Sequence, residues 1–161
     1  MEGTYKIHQA DNGTGGYVVI HKFYDADTRS DSSVYATLHT VNSDSEFTLE
    51  ADPENEGHYY IKVESGAEAG SYLASGDDDA NGDAEGTYFV HATSDESEMC
   101  SWVVEEDGNG HYCIYNEDED GTKYYLTSAE GSSLNRDETS FYLYVAEESI
   151  DQGGFTWDLE Q

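Results

Sequence analysis

The residues with intrinsic capacity for acid–base, nucleophilic or metal chemistry near neutral pH are six histidines, His8, His21, His39, His58, His91 and His111, and two cysteines, Cys100 and Cys113. Their spacing matches no established catalytic pattern. There is no His-x-x-x-His pair, no Gly-x-Ser-x-Gly elbow, no phosphate-binding glycine loop and no cysteine–histidine ligand set. Carboxylates occur throughout, so no pair stands out as a general acid and base. His58 and His111 each stand between a Gly and a Tyr, which reads as inheritance within a repeat. The expectation is a protein that binds and does not catalyse.

Two acidic stretches invite a calcium reading. Asp77, Asp79, Asn81 and Gly82 have the spacing of the first half of an EF-hand loop, and Asn116, Asp118, Asp120 and Gly121 repeat it. The twelfth position of such a loop needs a bidentate Glu, and here it falls on Tyr88 or Thr127. In so acidic a chain the half-match is expected by chance. Weak counterion association follows, with neither a specific metal site nor a cofactor.

Binding residues are then sought on loops. The segment 8–16 (HQADNGTGG) holds Asn12, Gly13, Gly15 and Gly16, and its surplus glycines make either a loose connector or a place where a partner can approach the backbone closely. The segment 25–32 holds Asp27 and Arg29, the latter one of two arginines in the chain. Arg29 is either a local charge balance or a specificity residue. In the segment 51–57 (ADPENEG), Pro53 fixes φ and leaves Asn55 near the tip of a stiff loop suited to docking, the alternative being a plain turn.

These loops need a scaffold, and residues 100–127 show its unit. A Trp-led strand (Trp102 to Val104), a turn rich in Gly and Asn, a strand with Tyr112 and Ile114, a polar loop and a strand with Tyr124 to Leu126 follow one another. Phe47, Trp102 and Trp157 are spaced 55 residues apart, and similar strands follow each of the first two. Three copies of about four strands, over about 1–46, 47–101 and 102–161, describe an all-β single domain, the β-trefoil with pseudo-threefold symmetry. Its last strand, Phe155 to Leu159, should pair back near the N-terminal strand. The expected core or cap comprises Trp102, Trp157, Tyr60, Ile61, Leu73, Tyr112, Ile114 and Leu126. With Trp102 and Ile114 inward, Cys100 and Cys113 face opposite sides of their hairpin and should not form a disulfide.

The layout, with Gly-x-Tyr-x-Ile followed by a Tyr-Leu strand, resembles that of the ricin-B-type lectins. In those lectins the sugar is held by an Asp after that Leu and a Gln two residues before the Trp. Here the corresponding residues are Thr127 and Ala74, and Cys100 and Phe155. The chain also resembles the mycocypins, fungal β-trefoil inhibitors of proteases, in Gly3-x-Tyr5, in Gly15-Gly16 before Tyr17, and in Cys100-Ser101-Trp102 running into Gly110-x-Tyr112-x-Ile114. That resemblance implies that Asn12, Gly13, Gly15 and Gly16, with Asp27 and Arg29, wedge into the cleft of a papain-like cysteine protease. It also implies that Asn55 is offered to a legumain-type protease. The expected function is non-enzymatic protease inhibition, with a carbohydrate-binding trefoil using a non-ricin-type site as the alternative. The expected partner is accordingly a protease or a glycan, met by a monomer.

Charge narrows the partners further. Thirty-six acidic against six basic residues leave a net charge of −30 on a body whose radius of gyration should be about 15 Å. Nucleic acid and anionic membranes are poor partners for it. No apolar run approaches the length of a membrane span, and the start MEGTYKIHQ lacks a basic and an apolar region. A cytoplasmic protein is the expectation, a secreted mature form the alternative. The acidic shell serves solubility or adaptation to salt. Screening should relieve its self-repulsion, so the melting temperature should rise between low and molar NaCl; a flat curve would contradict this reading.

Overall fold

The protein, seen in a computed structural model, is described over residues 3–9, 17–22, 34–39, 45–65, 69–79, 87–128, 140–147 and 156–161. It is all-β. Twelve strands are described: β1 (Gly3–Gln9), β2 (Tyr17–Lys22), β3 (Val34–His39), β4 (Glu46–Ala51), β5 (His58–Ser65), β6 (Tyr72–Asp79), β7 (Thr87–Thr93), β8 (Trp102–Glu106), β9 (Tyr112–Glu117), β10 (Lys123–Ser128), β11 (Ser140–Glu147) and β12 (Trp157–Glu160). A single 3₁₀ turn at Glu96–Glu98 is the only helical element among the described residues.

Every pairing is antiparallel. Six strands form a closed ring, in which β1 pairs with β4, β4 with β5, β5 with β8, β8 with β9, β9 with β12 and β12 with β1. The remaining strands form the hairpins β2–β3, β6–β7 and β10–β11, and β3, β7 and β11 pair with one another. The last strand returns to the first with Ile7 opposite Leu159 and Gln9 opposite Trp157. Alternation explains which side chains turn inward. Along β5, Ile61 and Val63 are buried while their neighbours Tyr60 and Lys62 are not. Gly57 and Gly110 enter β5 and β9 at φ of +85° and +88°, a left-handed bend that a side chain would strain.

The core gathers Ile7, Phe47, Leu49, Ile61, Val63, Trp102, Ile114 and Trp157 from the ring, with Val18, Ile20, Leu73, Val90, Leu126 and Val145 from the hairpins. The two indoles join these layers. Trp102 Nε1 donates to the Leu73 carbonyl at 3.2 Å and Trp157 Nε1 to the Leu126 carbonyl at 3.1 Å, so each buried N–H is satisfied. Two expected core residues differ. Tyr60 and Tyr112 are only half-buried, because Tyr60 alternates with inward Ile61 and Tyr112 opens β9 beside a polar turn. Cys100 packs against the core, whereas Cys113 lies beside Glu105 and Lys123 at a surface recess, and no bond joins the two.

Replacing Trp102 by Phe, the residue already present at position 47, removes the donor to Leu73 and should lower unfolding free energy by roughly 1–3 kcal/mol. Trp157→Phe should cost a similar amount. Urea denaturation checks both, and an unchanged midpoint in either variant would contradict the joining role of the indole.

Candidate functional site

Of the residues proposed from sequence for binding, Asn12, Gly13, Gly15, Gly16, Asp27 and Arg29 lie outside the described residues. Asn55 lies within them, in the turn between β4 and β5. That turn is built on Asp52, a carboxylate only 5 % exposed. Asp52 accepts the Glu54 N–H at 2.9 Å, Asn55 Nδ2 at 2.8 Å and Ser101 Oγ at 2.7 Å, and the Tyr60 hydroxyl is a further donor. The Asn55 amide, followed by the Glu54 N–H and the Ser101 hydroxyl, favours the ionised form and holds the carboxyl at about 2 against an ordinary 3.8. Backbone bonds from Asn55 N–H to the Asp52 carbonyl at 3.3 Å and from His58 N–H to the Asn55 carbonyl at 3.1 Å close the turn. Pro53 contributes its fixed φ, but the cross-link to Ser101 is what ties the turn to β8. Asn55 is exposed, yet its amide nitrogen is held by Asp52.

Asn55 and His58 border a groove of about 660 Å³. Three further segments complete it: Ser75 of β6, residues 99–101 ahead of β8, and residues 116–118 together with Tyr124 of β10. The lining is fixed by its own hydrogen bonds. Asn116 Nδ2 donates to Ser75 Oγ at 3.1 Å, and the Ser75 N–H donates to Cys100 Sγ at 3.3 Å. Asp118 Oδ1 accepts the N–H groups of Asp120 and Thr122, both at 2.9 Å, while Tyr124 donates to Asp118 Oδ2 at 3.3 Å. Polar atoms held in this way lose little freedom when a ligand arrives.

These bonds also give the second acidic stretch a structural role. Both oxygens of Asp118 serve the turn and Asn116 is buried against Ser75, so the 116–121 half-motif is a self-contained hydrogen-bonded turn. In the other half-motif, Asp77 and Asp79 lie within β6, whose extended backbone differs from the tight loop an EF-hand requires, and Asn81 and Gly82 lie outside the described residues.

The two histidines that follow a glycine and precede a tyrosine have different environments. His58 pairs across to Val103, and its Nδ1 is buried without a hydrogen bond. His111 Nδ1 instead lies 2.6 Å from Asp158 Oδ1. Among the described residues, one grouping has metal-ligand character: His8, Asp158 and Glu160, whose ligand atoms lie within 4.8 Å of one another. Position numbers alone did not bring these together. The register of β1 on β12, with His8 opposite Asp158, does.

No protein-family model matches the chain, and a search of curated proteins finds no match. No helix among the described residues is long and apolar enough to cross a membrane.

Because the Asp52 carboxyl is held below its ordinary value, its contribution to stability is complete above pH 3.8 and disappears as pH falls through about 2. Asp52→Asn should therefore be less stable than the wild type at neutral pH, and the gap should narrow across that acid window. Denaturant titrations at several pH values check this; a gap independent of pH would contradict the assignment.

Proposed function

We propose that the chain is a β-trefoil that binds a neutral carbohydrate in the groove beside Tyr124, as a monomer and without catalysing a reaction. The trefoil reading is supported by contacts that recur at the 55-residue spacing. Tyr17 and Tyr72 each donate a hydroxyl to a glutamate, Glu160 and Glu50, both at 2.8 Å. Asp52 and Asp107 each accept the backbone N–H two residues on, and Ser45 Oγ and Cys100 Sγ each accept a backbone N–H from the strands of Ile20 and Ser75. The closed ring and the three hairpins are the arrangement that three such units would produce.

One observation carries the carbohydrate reading: the groove combines a tyrosine with amide, hydroxyl and carboxylate groups that are already positioned. Such a lining suits a ligand with one apolar face and many hydroxyls. Glu117 and Asp118, with no cation among the lining residues, disfavour anionic sugars. The ricin-type positions are poor candidates, because Ala74 and Thr127 are both 0 % exposed.

An array of neutral glycans should give a signal that free sugar competes away. Tyr124→Ala should weaken binding by about tenfold, the equivalent of an aromatic contact near 1.4 kcal/mol, whereas Tyr124→Phe should retain it. Silence across the array, or full binding by Tyr124→Ala, would contradict the proposal.

Protease inhibition is the second reading, favoured by the pre-ordered turn that displays Asn55 beside the groove. Docking of a rigid turn loses little entropy. If this reading holds, micromolar protein inhibits papain or legumain, and Asn55→Ala abolishes the legumain effect. Inhibition panels that stay blank at that concentration would exclude it.

A further inference from the structure

We propose that His8, Asp158 and Glu160 form a binding site for a divalent transition metal of the zinc class, which clamps the first strand to the last. His8 Nδ1 lies 3.8 Å from Asp158 Oδ2 and 3.7 Å from Glu160 Oε2. Ligand atoms bound at about 2.0–2.1 Å to a tetrahedral ion stand roughly 3.3 Å apart, so the two separations from His8 need close by only about half an ångström, and all the ligand atoms lie within 4.8 Å of one another. The three side chains are 27 %, 34 % and 44 % exposed, which leaves them room to do so, while the His8 Nδ1 atom itself is buried between them.

The second observation is how the two carboxylates are held. Asp158 uses Oδ1 for His111 Nδ1 at 2.6 Å, and Glu160 uses Oε1 for the Tyr17 hydroxyl at 2.8 Å. In each case the other oxygen is the one directed at His8. Metal-binding carboxylates are commonly oriented by outer hydrogen bonds of this kind. Tyr17 also packs against the imidazole, with ring centroids 4.6 Å apart, so it positions both Glu160 and His8.

Repetition separates this cluster from a chance group of acids. The pair of Glu160 with Tyr17 recurs as Glu50 with Tyr72, whereas Glu105 takes its hydroxyl from Tyr115, which stands at the strand position of His8. The strand pair that places His8 opposite Asp158 instead places Lys62 opposite Thr48 and Tyr115 opposite Val103 in the other two units. Only the junction of the chain's two end strands carries an imidazole and a second carboxylate beside the common Glu. An imidazole ligand selects transition metals over calcium or magnesium, which favour all-oxygen sites.

The test is a calorimetric titration of the full chain with zinc chloride, in enough NaCl to screen the acidic surface, followed by a melt with and without zinc. One equivalent should bind and raise the melting temperature. His8→Ala should weaken binding about 100-fold, and Tyr17→Phe, which keeps all three ligands but removes the outer bond, about tenfold. Glu105→Gln, at the corresponding glutamate of another unit, should bind as the wild type does. Should His8→Ala fail to fold, Tyr17→Phe and the visible spectrum of the cobalt-loaded wild type, which reports nitrogen ligation, decide the matter. Wild-type affinity in His8→Ala or in Tyr17→Phe, a cobalt spectrum of an all-oxygen site, or displacement of zinc by excess calcium would overturn the proposal.

Discussion

Strand β1 is hydrogen-bonded on both edges by strands that lie far apart in the chain. Gly3 to Tyr5 pair with Leu49 to Phe47 of β4, and Lys6 to Gln9 pair with Glu160 to Trp157 of β12. Removing β1 would open the ring and leave the edges of β4 and β12 unpaired. It would also withdraw Ile7 from a core it shares with Phe47 and Trp157. The ring thus depends on pairing between residues as distant in sequence as Lys6 and Glu160, made against the self-repulsion of a net charge of −30.

Closure also places the polar groups that line the groove. Once β5 pairs with β8 and β8 with β9, the turn at Asp52, the segment before Trp102 and the end of β9 converge around one groove. Asp52 reaches Ser101 across this convergence, so a single buried carboxylate serves both the local turn and a long-range tie. The pairing of β1 with β12 does the same for His8 and Asp158. The polar groups of the groove and the His8–Asp158 pair therefore meet only through pairing of strands distant in the chain.

The scaffold was readable from sequence because its requirements recur. The aromatics at positions 47, 102 and 157 are all fully buried, and their even spacing of 55 residues is visible in the sequence. The strands at Trp102–Glu106, Tyr112–Glu117 and Lys123–Ser128 fall where the sequence between residues 100 and 127 placed them. The groove was not readable, since its lining is drawn from four segments and no local motif marks it. Asp52 had a missed signal: Asp107 stands one period later and organises the same turn. The EF-hand half-match has a physical origin. Short Asp–Gly stretches satisfy turns as readily as they bind ions, and Asp118 does the former.

Amide hydrogen exchange followed residue by residue tests the closure of the ring by β1 most directly. The amides paired between β1 and β12 should exchange only through global unfolding, at rates matching those of β8 and β9 in the same ring. Fast exchange in β1 and β12 while β8 and β9 stay protected would show that the ends open on their own, and would contradict the account.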